Sequence, residues 1–276
     1  MKKLNITIPT CKKILDLGIT QLEMSEILAA LRIELFGQSQ PEEFPTCYIL
    51  GGQPSSGKTT LSERIIGNFI EKKKPRPVII NEDEFRRFHP HYDEFIQEEE
   101  NGSTSNTQLF ANALVDYFLE YALEKGYSFI VEGNRRNLPD SLTTIHKAQK
   151  KNYRIETHIL AVHRERSWVG VHQRYENQKA HLGKGRITPQ ELHDAAFDSI
   201  PRVTDALYSE PDALNKIVIY TAQAQGIIYE AQRTIGGKWD NKILPSEALH
   251  RERKRAMNHQ EQERISWAWD LVKANQ

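Results

Sequence analysis

The segment Gly52-Gln53-Pro54-Ser55-Ser56-Gly57-Lys58-Thr59 carries glycine, lysine and hydroxyl in the G-x-x-x-x-G-K-[ST] spacing. Glycines at its two ends let successive backbone amides turn toward the oxygens of one phosphate chain, and a helix starting at its far end adds a positive N-terminus. Lys58 then reaches the β- and γ-phosphates, the Thr59 hydroxyl holds Mg2+, and Thr60 follows in the same turn. Such a cradle binds a nucleoside triphosphate without naming the reaction, because ATPases, GTPases and kinases share it. The guanine-reading Asn-Lys-x-Asp pattern is absent, since Asn241-Lys242 is followed by Ile243-Leu244.

Acids follow two apolar runs. Asn81-Glu82-Asp83-Glu84 comes after Val78-Ile79-Ile80, and Glu132 follows Tyr127–Val131. In a parallel sheet, the working residues stand just beyond the carboxyl ends of the strands. A carboxylate there can take a hydroxyl proton or hold a metal through water, the two tasks phosphoryl transfer asks of it. By residue type alone, Arg174 could pair with Glu176 or Asp198 on a helix surface, and Arg186 could be a loop charge.

The elements that must position these groups alternate along the chain. Cys47–Leu50, Val78–Ile80, Tyr127–Val131, Ile155–Val162 and Lys216–Tyr220 read as strands, mostly without polar alternation, as strands covered on both faces do. Between them lie helix patterns at about Thr59–Phe69, Thr107–Glu124, Asp140–Lys151 and Arg166–Lys179. A further helix starts at Thr188-Pro189-Gln190-Glu191, with Thr188 as its cap, and Pro201 should kink or end it. The fold class expected is α/β: a P-loop kinase-like parallel sheet of five strands with helices on both faces. A helical N-terminal extension (1–45) precedes the core (46–225), and a helical C-terminal extension (226–276) packs on it. In the first extension, Thr20 and Glu23 have capping-box spacing ahead of Ile27, Leu28, Leu31 and Leu35.

Composition narrows the class further. The 276 residues include 37 Lys+Arg and 37 Asp+Glu, so no basic surplus exists for coating nucleic acid. No apolar run approaches a membrane span, and the two cysteines, Cys11 and Cys47, are too few for a disulfide framework. A cytoplasmic protein without nucleic-acid or membrane partners is expected. The basic run Lys72–Arg76 reads as a solvated turn and His89-x-His91 as structural, because magnesium prefers oxygen ligands.

Taken together, the phosphate cradle, Asp83-Glu84-Phe85-Arg86-Arg87-Phe88-His89-Pro90, Glu132-Gly133, Arg174-Tyr175-Glu176 and Arg186-Ile187-Thr188-Pro189 resemble the zeta toxin family. The resemblance runs over roughly Thr46–Tyr220, with the motifs in the family's order. It implies a kinase of a toxin–antitoxin module that moves the γ-phosphoryl group of ATP or GTP to a sugar hydroxyl of UDP-N-acetylglucosamine. It also implies poisoned cell-wall precursor synthesis and a small helical antitoxin that blocks the nucleotide site. On this resemblance Lys58, Asp83, Arg174 and Arg186 are catalytic, and Gly52 through Thr60 hold the nucleotide. Asp83, Asp116, Glu132, Asn134 and Arg136 contact the acceptor, and Thr59 and Glu132 hold the metal. The sequence departs from the family at Asn81, where aspartate is common, at Glu84, where a small hydroxyl residue is usual, and at Asn134, where threonine is usual. These changes fall on the acceptor side, so phosphorylation of another small-molecule hydroxyl (a nucleotide or an antibiotic) stands as an alternative, and the long charged tail, 246–276, leaves a nucleotide-dependent interaction protein as a second.

Overall fold

The computed structural model describes residues 19–98, 104–132, 138–183, 185–222 and 226–275, with the side chains of 96–98, 104–106 and 182 outside that description. Helix α1 (Gln21–Phe36) starts at the expected capping box, in which the Glu23 amide donates to Thr20 Oγ1 at 3.2 Å and the Thr20 amide to Glu23 Oε2 at 2.8 Å. Then follow β1 (Thr46–Gly51), α2 (Lys58–Glu71), β2 (Val78–Asn81), the single turn α3 (Glu82–Phe85), α4 (Tyr92–Glu98), α5 (Thr104–Lys125) and β3 (Phe129–Glu132). The second half runs α6 (Leu138–Gln149), β4 (Arg154–Ala161), α7 (Arg164–Leu182), α8 (Gln190–Ser209), β5 (Lys216–Thr221), β6 (Ile227–Gln232), α9 (Pro245–Lys254) and α10 (His259–Ala274).

The strands form one sheet in the order β2-β3-β1-β4-β5-β6. The first five are mutually parallel, as expected, and β6 adds a sixth that runs antiparallel to β5. The region after residue 225 therefore begins with a strand rather than a helix. Its outward residues Ile227, Glu230 and Gln232 are exposed, so β6 lacks the continuous apolar run that marked the others.

Alternation across the buried strands sorts the core into two layers. Cys47 and Ile49 of β1, Phe129 and Val131 of β3, and Ile217 and Ile219 of β5 face a large cluster built with α1, α5, α6 and α9. Leu50, Ile130, Leu160, Val218 and Tyr220 face the opposite way, onto Leu61, Ile65, Ile66 and Phe69 of α2. Phe118 of α5 is fully buried, with ring contacts to Phe36, Phe85 and Tyr117, so it ties α1 and the Asp83 turn to the sheet. Phe118→Ala should cost about 3–5 kcal/mol by transfer and cavity terms. A denaturant titration showing a loss below about 1 kcal/mol would contradict this packing role.

Pro201 does not end α8, which continues to Ser209. A proline lacks the N–H that would bond the carbonyl four residues back, here that of Phe197. That carbonyl instead accepts from Arg253 Nη1 of α9 at 2.7 Å, so a tertiary donor replaces the missing local one. The start of α8 also differs from expectation. The helix begins at Gln190 with Pro189 at the cap, and the Thr188 hydroxyl is taken by Arg174.

The tail helix α10 packs Ile265 and Ala268 against Val169 of α7. Among the described residues, no helix is long and apolar enough to cross a membrane.

Candidate active site

The turn between β1 and α2 lies at the centre of the sheet, where β1 has β3 on one side and β4 on the other. Strand order reverses at this point, which leaves a crevice above the carboxyl ends. Gly57, at φ 98°, makes the left-handed step into α2, and no side chain caps that helix. Its leading amides are left for an anion. Lys58 Nζ lies back across the loop, donating to the carbonyls of Gly52 at 3.1 Å and Gln53 at 3.4 Å. Thr59 and Thr60 are exposed on the first turn, whereas Gln53, Pro54 and Ser56 are buried beneath the loop.

Gly52 is required by close packing. A Cβ there would stand 2.3 Å from Ser56 Oγ and 3.4 Å from Lys58 Cγ. Gly67, in the middle of α2, has nothing within 4 Å of such an atom. Gly52→Ala should therefore force the Ser56 side chain aside inside the loop and weaken ATP binding by about tenfold. Gly67→Ala should bind ATP normally and gain roughly 0.5–1 kcal/mol of stability. Calorimetric titration and thermal melts of both variants check the pair, and equal ATP affinity in the two would contradict the cradle geometry.

The expected acids converge here. Asn81 and Glu132 are the last residues of β2 and β3 and are paired in register. Asn81 ties both acids together: Nδ2 donates to Glu132 Oε2 at 3.3 Å, and Oδ1 accepts the Asp83 amide at 3.0 Å, capping α3. Glu132 is buried and also accepts from Ser62 of α2. Burial pushes its carboxyl up to about 7; Lys58 pulls against this, while Glu84, Asp83 and Glu63 push the same way.

Asp83 behaves oppositely. Burial pushes its carboxyl up, but Arg186, Arg174, Lys58 and Arg86 outweigh that and hold it below the usual carboxylate range. Arg186 Nη2 lies 3.1 Å from Asp83 Oδ1, and Arg86 Nε lies 3.6 Å from the same atom. Arg174 donates to Thr188 Oγ1 at 2.9 Å, two residues from Arg186, so both guanidiniums belong to one assembly. Neither surface alternative for Arg174 is realised, and Asp198 is instead held by Arg164 at 2.6 Å. Arg174 Nε is buried with no hydrogen-bond partner among the described residues.

Beside Glu132 opens a cavity of about 330 Å³ between α5 and α6, lined by Glu82, Asn112, Asp116, Glu132, Asp140 and Lys147 among others. Asp116, placed from the sequence only by its distance before Gly126, thus shares a cavity wall with Glu132. Asn134 and Arg136 fall outside the described residues.

Three contributors were missed in the sequence reading. Ser62 had no motif to mark it. Asn81 was noted only as a departure, whereas it clasps both acids. Arg86 is buried and bonded to Thr107 at 3.0 Å and to Gln108 and Glu82, which fixes the Asp83 turn on α5. Its i,i+3 spacing from Asp83 was the available signal.

The donor set suits a hard cation. Thr59 and Glu132 offer oxygen, and Glu132 sits among like charges that a divalent ion would relieve. No cluster of three or more His, Cys, Asp or Glu that could hold a metal occurs among the described residues, so magnesium here would depend on phosphate and water oxygens as well.

The chain is similar to known proteins in sequence and in fold. The family model for zeta toxin matches residues 33–234. Toxin zeta of Enterococcus hirae is 28% identical over 229 residues, covering 83% of this chain and 76% of the relative. Toxin PezT of Streptococcus pneumoniae is 30% identical over 178 residues, covering 63% of this chain and 68% of the relative. Among solved structures, one from the PezAT chromosomal toxin-antitoxin system of Streptococcus pneumoniae superposes with a TM-score of 0.79 at 24% identity, covering 93% of this chain and 98% of that one. The AvrRxo1-ORF1:-ORF2 structure with ATP gives a TM-score of 0.62 at 15% identity, covering 94% and 87%.

Proposed function

The chain belongs to the zeta toxin family, and from that premise we propose that this nucleotide-dependent phosphotransferase moves the γ-phosphoryl group of ATP or GTP to a sugar hydroxyl of UDP-N-acetylglucosamine. The observation that carries the reading is the Asp83 carboxylate, paired with Arg186 at 3.1 Å, 3.6 Å from Arg86, and within the field of Arg174 and of Lys58 of the phosphate cradle.

The transferring group passes through a loose transition state whose charge spreads over its oxygens, so catalysis is positioning and electrostatics. The acceptor oxygen forms a bond to the γ-phosphorus, the bond to the β–γ bridging oxygen breaks, and the nucleoside diphosphate leaves. Asp83 orients the acceptor hydroxyl and takes its proton. Lys58, Arg174 and Arg186 place positive charge where the phosphoryl oxygens carry the negative charge. Thr59 and Glu132 would hold magnesium, which neutralises phosphate charge when bound.

The cavity beside Glu132 supports a sugar at this end of the acceptor. Glu82, Asp116, Glu132 and Asp140 can accept hydrogen bonds from hydroxyl and amide groups, while their charge repels phosphate. The diphosphate of the acceptor would therefore lie away from this wall. A phosphorylated UDP-sugar would starve cell-wall precursor synthesis, and a small helical antitoxin covering the nucleotide site would keep the enzyme silent. The relative from the PezAT toxin-antitoxin system supports the partner reading.

Incubation of the purified chain with magnesium-ATP and UDP-N-acetylglucosamine, read by mass spectrometry, tests the proposal. A product heavier by one phosphoryl group is expected. No such product from folded, nucleotide-binding protein would defeat it. Asn81 and Glu84 motivate a parallel panel of nucleotide and antibiotic hydroxyls, and turnover of one of these alone would move the assignment to that acceptor.

A further inference from the structure

Gln53, inside the phosphate cradle, turns its side chain away from the crevice and is fully buried. Every polar group of that side chain is engaged. Nε2 donates to the Val162 carbonyl at 3.1 Å and to Ser167 Oγ at 3.0 Å, and Oε1 accepts from Arg253 Nη2 at 3.1 Å. The amide can sit only this way round, because a guanidinium has no acceptor and a carbonyl has no donor. Ser167 Oγ continues the chain to His193 Nε2 at 2.9 Å, and both residues are fully buried. The backbone carbonyl of Gln53 meanwhile accepts from the Ser56 amide at 3.1 Å and from Lys58. The same residue thus sets the curvature of the loop on one side and is bolted to α7 and α9 on the other.

Arg253 is a costly way to make such a bolt. It is 7% exposed, packs its guanidinium 4.1 Å from the Phe197 ring centroid, and spends its hydrogen bonds on the Phe197 carbonyl and on Gln53. Burial pulls its pKa down to about 10. Asp198 attracts this cation without forming an ion pair with it, and a buried cation lacking a direct carboxylate partner is expensive unless its geometry is needed. One need is plain, since Pro201 leaves the Phe197 carbonyl without its helical donor. That need explains one arm of the guanidinium and not the other.

We infer that Arg253, on a helix beyond the family-matched segment, is a positioning residue for the phosphate cradle, holding Gln53 so that the loop amides are preset for the nucleotide. The inference rests on the nucleotide-dependent function proposed above, but it is read by binding alone. In the nucleotide-free protein the loop would otherwise have to be ordered by its ligand, and that ordering would be subtracted from affinity.

The test separates the two arms. Pro201→Ala restores an N–H for the Phe197 carbonyl, which removes the structural need for Arg253. In that background Arg253→Met severs the link to Gln53 together with the stacking on Phe197, and of the two only the Gln53 link reaches the phosphate loop. The Kd of magnesium-ATP for the double variant is expected to rise about tenfold over Pro201→Ala, with kcat at saturating ATP changed by about twofold or less. Leu249→Ala, a buried substitution on the same helix that leaves the link intact, should lower the melting temperature without moving the Kd. Equal affinity in Pro201→Ala and the double variant, or an equal rise in Leu249→Ala, overturns the inference. If the double variant does not fold, Gln53→Met in the wild-type chain breaks the link from the loop side, and an unchanged Kd there overturns it too. A wild-type chain that binds no nucleotide defeats the proposed function together with this inference. A wild type that binds beside a double variant that binds equally well defeats this inference alone.

Discussion

Asp83→Asn should reduce kcat by about 10³-fold, within the range a positioned general base supplies, and leave the KM for ATP unchanged or lower. The substitution keeps the shape and the capped turn, because Asn81 holds the backbone amide of residue 83 rather than its carboxylate. What it removes is the proton acceptor and the negative charge facing four cations. With that charge gone, Arg186, Arg174, Lys58 and Arg86 present a stronger field to the incoming phosphates. Loss of the half-exposed pairing with Arg186 costs about 1 kcal/mol or less, so the melt should barely move. Steady-state kinetics decide the matter, and a kcat within about tenfold of wild type would remove Asp83 from the chemistry.

The pH dependence follows with a definite sign. The folded-state pKa of Asp83 is depressed, so its contribution to stability is present above the unfolded value near 3.9 and is lost as the pH falls through the lower folded value. The acid limb of kcat/KM that belongs to Asp83 should accordingly lie below that reference value. Activity limited by this residue is flat from pH 5 upward.

Arg174→Ala has the second large expected effect. Its guanidinium is anchored on Thr188, at the approach to α8, and keeps a buried Nε with no partner among the described residues. A cation fixed in this way is set for charge that develops during transfer, and arginines in that role contribute about 10³–10⁵ in related phosphoryl-transfer systems. A loss of about 10³ in kcat is expected, with a smaller change in KM. Arg174→Lys should not restore it, because an ammonium cannot keep Thr188 and reach the phosphoryl oxygens in one planar fork. Full activity in the lysine variant would show that charge alone suffices and would undo the clamp assignment.

The cradle was legible because its parts are contiguous: glycine spacing, lysine and hydroxyl sit in one short string, and the chain must bend there. Asp83 and Glu132 were legible because apolar runs end just before them. Long-range compensation was not. Pro201 reads as a helix breaker from its own chemistry, and nothing local announces that an arginine 52 residues later will serve the orphaned carbonyl. Thr188 reads as a helix cap until a guanidinium from the preceding helix claims its hydroxyl. Strand β6 was missed because one edge of the sheet carries polar residues in alternation, a signal that loops share.

Strand β1 is paired along its whole length with β4, from Thr46 opposite Arg154 to Gly51 opposite Ile159. During synthesis, Lys58 therefore leaves the ribosome about a hundred residues ahead of the strand that flanks its loop. An interrupted polypeptide that carries the complete phosphate-binding string still lacks one of the two strands that flank β1.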